Sequence, residues 1–490
     1  MRALVWFRSD LRVADNRALY HACEAATKGV GGVFAICPQQ WREHDWTDVR
    51  VEFVLRNLDQ LRAALDDLNI PLRILTVDRF DGVAVALTDL ADTLRCDALY
   101  LNREYEVNER RRDTEVCRRF EEAGRRTFCY DDQVILPPGS LRTGTGTPYR
   151  VFTPFRRAWL AALEQQSDVQ PLPSPRRQAT SPARSSRVPT RLAAFSKTDA
   201  HALWEPGERP AHKRLREFIE HRLRTYHERR DIPAVDGTSG LSPYLTSGVL
   251  SPRVCLHAAR EAAHEVRGFR GKQNGPTTWI SELIWREFYK HLLVDFPRLS
   301  MNRAFRPETE RIPWRDDKDG FAVWCDGATG YPIVDAALRQ LNQTGWMHNR
   351  LRMISAMFLT KHLLVDWRWG EQAFMRRLVD GDLASNNGGW QWSASTGTDA
   401  APYFRIFNPS SQSRRFDPQG EFMRRYLPEL RDVPTALLHD PVALAEHRPN
   451  GIEYPPPICD HAFARQRAID TFDRVLKRSG RPPRPASRRT

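Results

Sequence analysis

The chain has 490 residues, a formal net charge of +13 at pH 7 and a sequence pI of about 9.6. This length predicts two or three domains, and the basic balance favours a polyanionic partner, nucleic acid before membrane, with a solvated basic surface as the alternative. No apolar run approaches the ~20 residues that cross a bilayer, and charge begins at Arg2, too early for a signal peptide. The eight cysteines are scattered without a Cys-x-x-Cys pair, so neither a disulfide framework nor a zinc site is expected, and the protein is expected to be soluble and intracellular.

Residues 1–130 alternate short apolar runs with amphipathic stretches such as Val51–Leu68. The runs predicted as buried strands are Ala3–Phe7, Gly32–Cys37, Leu72–Val77, Ala98–Leu101 and Thr127–Tyr130. This alternation predicts a doubly wound parallel α/β sheet with crossover helices. The turn after the first strand, Arg8–Val13, lacks the glycines of a dinucleotide fingerprint, so a pyrophosphate is not expected there.

The rest of the chain consists of three segments that differ in composition. Residues 131–205 are predicted to be an inter-domain linker, with a Pro-, Ser- and Arg-rich surface segment from Pro171 to Pro189. Residues 206–475 have long amphipathic segments and few β-branched runs, which predicts a large all-helical domain. Residues 476–490 are a basic tail expected to be disordered.

A helix predicted over Thr278–Phe296 has two different faces. Its apolar side has Ile280, Ile284, Phe288 and Leu292. Its second side has Trp279, Glu282, Arg286 and Tyr289. Spacings of three and four align each set, so the second face can line a polar cavity. The alternative is a surface helix with one Glu–Arg pair, worth only ~0.3–0.5 kcal/mol.

Three further segments combine groups that could hold a planar, charged ligand. Asn349, Arg352 and Met353 place an amide beside a guanidinium, although an ordinary amphipathic helix has the same spacing. The segment from Asp380 to Trp392 mixes acids, amides, glycines and tryptophans, although a capped helix start could explain it. Thr238–Ser242 offers hydroxyls and backbone N–H groups suited to phosphate, or else a simple N-capped turn. No HExxH, GxSxG or P-loop motif occurs, which sets aside zinc hydrolysis, serine esterase chemistry and NTP hydrolysis.

Taken together, these segments resemble the photolyase/cryptochrome family, and most closely the class I cyclobutane pyrimidine dimer photolyases. The resemblance runs from Met1 to about residue 475. The blocks that carry it, in order, are Trp-Phe-Arg-Ser-Asp-Leu-Arg (6–12), Asp-Gly-Thr-Ser (236–239), Glu-Leu-Ile-Trp-Arg-Glu-Phe-Tyr (282–289), Trp-Met-His-Asn-Arg-Leu-Arg-Met (346–353) and Asp-Gly-Asp-Leu-Ala-Ser-Asn-Asn-Gly-Gly-Trp-Gln-Trp (380–392). The family holds FAD in a helical domain and, in light, its reduced flavin passes an electron to a flipped-out pyrimidine dimer, which splits and returns it.

The resemblance implies a set of cofactor-binding residues. Around the phosphates they are Tyr226, Thr238, Ser239, Gly240, Leu241 and Ser242. Around the ribose, adenine and isoalloxazine they are Trp279, Arg286, Asn349, Arg352, Asp380, Gly381, Asp382 and Asn386. Within this set Asp380 is expected to orient Arg352, and Asn386 to face flavin N5. Gly240 stands where relatives have a bulkier residue.

The same resemblance implies a substrate site and an electron path. The expected dimer pocket consists of Glu282, Trp285, Asn349, Met353 and Trp392. The expected strand-binding rim consists of Arg230, Arg350, Arg405 and Gln412. Glu282 and Asn386 carry the chemistry, and Trp390, Trp367 and Trp314 match a chain that photoreduces oxidised flavin.

A second, light-harvesting chromophore is left open. Asn108 and Glu109 match antenna contacts, but Ser300-Met301 stands where folate-binding relatives have Cys-Lys. The missing lysine argues against folate and leaves a deazaflavin or no antenna as alternatives.

No metal is implied. The expected partner is ultraviolet-damaged DNA, and a cytoplasmic, nucleoid-associated monomer is expected.

Three rival functions are alternatives to this interpretation. A (6-4) photoproduct photolyase would need a histidine pair where this chain has Asn349 and Met353, and His348 is one position away. A blue-light-sensing cryptochrome is disfavoured by Asn386 and the intact dimer pocket. A thermal flavin oxidoreductase would need a site for a second redox substrate, and the sequence shows none.

Overall fold

The computed structural model describes residues 1–165, 169–179, 183–198, 203–265, 274–447 and 451–477. The N-terminal part is a five-stranded parallel sheet in the order β3-β2-β1-β4-β5. Its strands are β1 (Ala3–Phe7), β2 (Val30–Ile36), β3 (Leu72–Thr76), β4 (Ala98–Asn102) and β5 (Arg126–Tyr130). All five predicted strands are found, with ends shifted by at most two residues, so the predicted fold class is confirmed.

Helices connect these strands and cover the sheet. They are α1 (Arg17–Ala25), α2 (Pro38–Glu43), α3 (Asp48–Asp67), α4 (Val83–Leu94) and α5 (Val107–Glu122). Helix α3 starts three residues before the predicted Val51 because Thr47 caps it, accepting a hydrogen bond from the Val49 N–H. The strand order reverses between β1 and β4, where Ala3 is paired with Val30 on one side and Ala98 on the other. In such sheets a crevice forms at this switch point, outside the carboxyl ends of the strands.

The connection contains a helix that the sequence analysis did not predict, α6 (Phe152–Gln165). Phe152, Phe155 and Trp159 of α6 are buried. Residues 171–179 and 183–189, from the segment predicted to be a surface linker, contain neither helix nor strand.

The remainder is helical, as predicted. Its helices are α7 (Glu208–His221), α8 (Tyr226–Arg229), α9 (Ser242–Thr246), α10 (Pro252–Glu265), α11 (Gly275–Asp295), α12 (Lys318–Asp326), α13 (Pro332–Thr344), α14 (Asn349–Met357), α15 (Trp367–Met375), α16 (Leu383–Ala394), α17 (Pro409–Phe416), α18 (Glu421–Tyr426), α19 (Thr435–Leu438), α20 (Pro441–His447) and α21 (His461–Lys477). A π-helical turn, Phe358–Leu363, follows α14. Short 3-10 turns occur at Phe80–Gly82, Leu223–Thr225, Pro297–Met301, Pro307–Arg311 and Pro428–Leu430. The predicted tail begins inside α21, and beyond residue 477 it lies outside the described residues.

Helix α11 is the predicted Thr278–Phe296 helix, begun three residues earlier by a cap. Asn274 and Thr277 form a reciprocal capping box, and Pro276 lies in the first turn, where its missing N–H costs nothing. The apolar side, including Ile280, Ile284 and Phe288, is buried as expected.

A buried cluster of charges joins the sheet to the helices. Arg253 of α10 donates to Asp15 (3.0 Å) and to Asp132 (2.6 Å), and Arg12 also pairs with Asp132. All four side chains are at most 3% exposed. Because both carboxylates have cationic partners, the burial of these charges is compensated, and the two parts of the molecule are held in one arrangement.

Candidate functional site

The helical part encloses a cavity of about 510 Å³ between α11, α14, α16 and the loop 238–242. The predicted cofactor residues that line it are Tyr226, Thr238, Ser239, Gly240, Leu241, Ser242, Trp279, Arg286, Asn349, Arg352, Asp380, Asp382 and Asn386. Gly381 is the exception, since it is buried and does not line the cavity. The four segments singled out in the sequence, which are separate along the chain, therefore converge on one cavity.

The loop 238–242 presents unpaired hydroxyls to the cavity. Within the described ranges, Thr238 and Ser239 have no hydrogen-bond partner for their side chains, and Ser242 Oγ accepts a bond from Trp346 Nε1 at 3.3 Å. Gly240 has φ +59°, and a β carbon there would lie 2.6 Å from Arg214 Nη1. This explains the glycine, because a larger residue would be strained and would displace the guanidinium.

Helix α14 contributes a cation fixed by a buried carboxylate. Arg352 Nη2 donates to both oxygens of Asp380, at 2.8 and 3.1 Å, and its Nε donates to the Met347 carbonyl at 2.8 Å. Asp380 therefore orients Arg352, as the sequence analysis expected. His348 does not line the cavity. Its Nδ1 caps α14 by accepting from the Arg350 N–H at 3.2 Å, so it has a structural place in the helix.

Asp382 is paired with Lys290, a residue that sequence reasoning missed. Lys290 Nζ lies 2.8 Å from Asp382 Oδ2 and is 1% exposed. Burial raises the pKa of Asp382, but Lys290 and Arg286 outweigh it and hold this pKa below its usual range. Lys290 follows Arg286 by four residues, which places both on the same face of the helix. This spacing is the feature of the sequence that could have identified Lys290 as a site residue. Asp382 also caps α16 through the Ser385 N–H at 2.8 Å, so the capped helix start and the polar site are both present.

Asn386 is held by a second missed residue, Glu371 of α15. Asn386 Nδ2 donates to the Glu371 backbone carbonyl and to its Oε1, both at 3.0 Å. A carbonyl only accepts, so the amide orientation is fixed and Oδ1 remains available as an acceptor toward the cavity. Burial raises the pKa of Glu371 to about 7. Nothing adjacent in the sequence marked Glu371, which lies 15 residues before Asn386.

The predicted dimer residues line the same cavity at half-buried or exposed positions, which form its mouth. Glu282, Trp285, Asn349, Met353 and Trp392 all line it. Trp285 stacks on Phe152 of α6, with ring centroids 3.6 Å apart and planes 7° from parallel. One face of the indole is therefore covered by the connection.

The predicted rim residues divide into two groups. Arg230 pairs with Glu282, and Arg350 pairs with Asp231 at 2.7 Å; both arginines line the cavity. Arg405 and Gln412 do not line it. Arg405 is exposed and, in the part of the chain that the structure describes, forms no ion pair.

The three predicted relay tryptophans belong to one hydrophobic cluster. Trp390 lines the cavity, Trp367 is buried away from it, and Trp314 is partly exposed at the edge of the cluster. Trp390 also contacts Trp324, with ring centroids 6.0 Å apart. The cluster thus extends from the cavity wall to the surface.

A second cavity, of about 310 Å³, lies at the carboxyl ends of the strands near the switch point. Both predicted antenna residues line it, and His44 contacts both, Asn108 at 3.0 Å and Glu109 at 3.2 Å. Ser300 lines it as well, where relatives have a cysteine, whereas Met301 does not. Asp382 lines both cavities, whereas Glu371 lines the second cavity and contacts the first only through Asn386.

Other site classes were sought in the described residues. Among them, no group of three or more His, Cys, Asp or Glu side chains could hold a metal ion. The helices in the described ranges include none with the length and apolar character needed to cross a membrane.

Comparison with known proteins agrees with this architecture. Residues 3–176 match the family model for DNA photolyase, and residues 279–474 match the model for the FAD binding domain of DNA photolyase. The chain is 45% identical to the deoxyribodipyrimidine photo-lyase of Escherichia coli, with 97% of this chain and 99% of that protein covered. The protein of the same name from Neurospora crassa is 40% identical, with 96% and 82% covered.

Two solved structures are also similar. A class III photolyase from Agrobacterium tumefaciens superposes with a TM-score of 0.84 at 36% identity, covering 97% of this chain and 98% of that one. A cryptochrome from Synechocystis sp. superposes with a TM-score of 0.86 at 27% identity, covering 96% and 99%. Because the family models cover both parts and relatives match over nearly the full length, the chain belongs to the photolyase/cryptochrome family.

Proposed function

We propose that the protein is a light-dependent DNA repair enzyme, a deoxyribodipyrimidine photo-lyase of class I that uses FAD to split cyclobutane pyrimidine dimers. The observation that carries this proposal is one cavity whose wall suits the cofactor and whose mouth suits the damaged bases. Glu282, Trp285 and Trp392 line the mouth, while Arg352, Asp382 and Asn386 line the wall.

The residues present fit FAD. The free hydroxyls of Thr238 and Ser239, beside the positive φ of Gly240, suit a diphosphate that approaches the backbone closely. Arg286 and Arg352 supply positive charge, and Asn386 supplies an acceptor that carries no charge. When bound, reduced FAD supplies, on absorbing light, the electron that opens the cyclobutane ring, and it receives that electron back.

The chain's own groups prepare this site. Lys290 keeps Asp382 ionised, and Asp380 keeps Arg352 in one orientation, so the charges around the cofactor are fixed before light arrives. Asn386 Oδ1 would accept a hydrogen bond from a protonated ring nitrogen of the reduced cofactor. Glu371 holds that amide in place.

At the mouth, the indoles of Trp285 and Trp392 would stack on the flipped-out bases, at ~1–3 kcal/mol per base. Glu282 would hydrogen-bond the pyrimidine edge. In the structure it is paired with Arg230, so substrate binding would have to share or replace this ion pair. Arg350, Arg405 and Gln412 would contact the strand on either side.

Two further assignments belong to this proposal. Trp390, Trp367 and Trp314 would carry an electron from the surface to an oxidised cofactor.

The second cavity would hold any antenna chromophore, with Asn108 and Glu109 as contacts. The absence of a lysine at 300–301 still argues against folate, and Arg8, Arg50 and Arg112 are the cations that line this cavity instead. An absorption spectrum of the freshly purified protein distinguishes a folate, a deazaflavin and FAD alone.

DNA damaged by ultraviolet light is the proposed partner. A monomeric state and a cytoplasmic location close to the nucleoid are part of the same proposal, and size-exclusion chromatography with light scattering tests the first.

The decisive experiment combines light with one substitution. Purified protein is incubated with an oligonucleotide containing one thymine dimer, in the dark and under near-ultraviolet light, and dimer loss is followed. Repair is expected in light only. Glu282→Ala should lower the repair yield by about 10-fold or more with FAD content unchanged, since a hydrogen bond to a charged group contributes about 1.5–3 kcal/mol.

The matched control is Glu220→Ala, an exposed glutamate on α7, which should change neither quantity. Binding without repair would favour a signalling role and contradict the proposal. Equal loss of FAD and repair in Glu282→Ala would show that Glu282 belongs to the cofactor site.

A further inference from the structure

Two cysteines lie side by side on the N-terminal domain, away from both cavities. Cys117 lies on α5 and Cys129 on β5, the edge strand of the sheet. Their sulfur atoms are 3.7 Å apart, and both residues are partly exposed. The proposed repair chemistry uses neither thiol.

The local environment suits oxidation of this pair. A disulfide bond is about 2.05 Å long, so the sulfurs need to approach by only ~1.7 Å, which side-chain rotation can supply. The hydrogen bond between the two thiols, together with Arg103 and Arg8, lowers the pKa of Cys129 despite its burial, and the same hydrogen bond together with burial raises the pKa of Cys117. A thiol with a lowered pKa has a larger thiolate fraction, which is the form that attacks disulfides and peroxides.

The other six cysteines differ. Cys23, Cys37, Cys96 and Cys255 are buried, and burial raises the pKa of each thiol. Cys325 and Cys459 are partly exposed, but burial raises their pKa as well. Among the described residues, Cys117 and Cys129 are the pair whose sulfurs are in contact.

We propose that Cys117 and Cys129 form a redox-active dithiol, a modification site that low-molecular-weight disulfides such as oxidised glutathione convert to an intramolecular disulfide. The Cys129 thiolate attacks one sulfur of oxidised glutathione and releases one glutathione thiolate. Cys117 then loses its proton and attacks the Cys129 sulfur of the mixed disulfide, releasing the second glutathione. In total, one protein dithiol and one oxidised glutathione give one protein disulfide and two reduced glutathiones.

This bond would fasten α5 to the sheet edge. The same helix carries Asn108 and Glu109 in its first turn, so the modification would anchor the helix that forms one wall of the second cavity.

The test uses the full-length protein, first reduced and then equilibrated in buffers with increasing oxidised-to-reduced glutathione ratio. Free thiols are blocked with N-ethylmaleimide before trypsin digestion and mass spectrometry. The expected product is a linked pair of peptides, residues 113–118 and 127–142, with two fewer maleimide adducts on the intact protein. In guanidinium chloride, the same half-oxidation should need at least ~10-fold more oxidised glutathione, because the fold supplies the proximity of the thiols.

Variants separate this pair from general oxidation. Cys117→Ser and Cys129→Ser should each abolish the linked peptides, while Cys325→Ser, the matched control, should keep them. The proposal is overturned if both thiols of the folded protein stay open to maleimide in excess oxidised glutathione, or if they carry only separate glutathione adducts. An equal midpoint in folded and denatured protein would overturn it as well.

Discussion

Two buried carboxyl groups near the cofactor cavity show how the surroundings of a residue set its chemistry. Asp382 has Lys290 as a partner, and its pKa is lowered despite burial. Glu371 has the amide of Asn386 but no cation within the described residues that compensates its burial, so its pKa rises to about 7. Two acids that look equivalent in the sequence thus differ near neutral pH, where Asp382 is charged and Glu371 changes its protonation.

Replacing Glu371 should change how stability depends on pH. Its folded pKa, about 7, exceeds the unfolded value of about 4.3, so the native state binds more protons between these values. Its contribution therefore makes the free energy of unfolding fall as the pH rises from about 4 to 7, by on the order of 3–4 kcal/mol. Glu371→Gln keeps an acceptor for Asn386 but cannot ionise. It should therefore remove this part of the dependence of the free energy of unfolding on pH.

The measurement is urea unfolding of both proteins at pH 5 and pH 8. The control is Glu217→Gln, at an exposed glutamate of α7. In this variant the free energy of unfolding should change between pH 5 and pH 8 by the same amount as in the wild type. The interpretation of Glu371 fails if Glu371→Gln and the wild type lose the same stability between these pH values.

At the scale of elements, α6 supports α11, one of the helices that line the cavity. Trp159 Nε1 donates to Glu287 at 2.6 Å, and Arg156 Nε donates to Ser281 Oγ at 2.9 Å. Phe152 covers one face of Trp285. The connection therefore supports the proposed substrate site through these contacts.

Removing the Phe152 ring should weaken binding of damaged DNA. With one face of the indole no longer packed, Trp285 would have to be ordered on binding, which costs about 1 kcal/mol, or roughly five-fold in Kd. Phe152→Ala is expected to raise the Kd for a dimer-containing duplex by about that factor and to keep FAD, measured by fluorescence anisotropy and flavin absorption. The control is Tyr149→Ala, since Tyr149 contacts Phe155 and not Trp285; an equal effect of both changes would mean that Phe152 acts through general packing.

At the scale of the whole molecule, the charge cluster around Arg253 couples the sheet to the helices. Arg253→Met would leave Asp15 and Asp132 buried with less compensation, at a cost of about 3–5 kcal/mol. We expect a lower midpoint of thermal unfolding, measured by circular dichroism together with the release of FAD. Arg376→Met, which removes an exposed pair with Asp45, should cost less than about 1 kcal/mol; equal losses in the two variants would contradict the role of the cluster.

The cluster also predicts sensitivity to acid. Burial raises the pKa of Asp132, but Arg12 and Arg253 outweigh it and the net pKa is lowered. Its stabilising contribution is therefore present above the unfolded pKa of about 3.9 and is lost as the pH falls through the lower folded value.

The net charge of +13 should make DNA binding strongly dependent on salt. Each phosphate neutralised adds about −0.9 to the slope of log K against log salt concentration. Arg405→Ala is expected to weaken binding and to make this slope shallower by about one, measured by titrations between 50 and 200 mM salt. The control is Arg339→Ala, which removes a cation already paired with Glu429; an unchanged slope in Arg405→Ala would remove Arg405 from the proposed rim.

The sequence by itself determined the secondary structure and the segments of the site, because both depend on short-range patterns. Alternating apolar runs predicted all five strands, and spacings of three and four placed Trp279, Glu282 and Arg286 on one face of a helix. Only the tertiary structure decided the partners. Lys290 beside Asp382, Glu371 behind Asn386, Phe152 against Trp285 and Cys117 beside Cys129 are contacts between different elements of the structure. Burial and charge pairing, which set pKa values and orient side chains, arise only when those elements pack together.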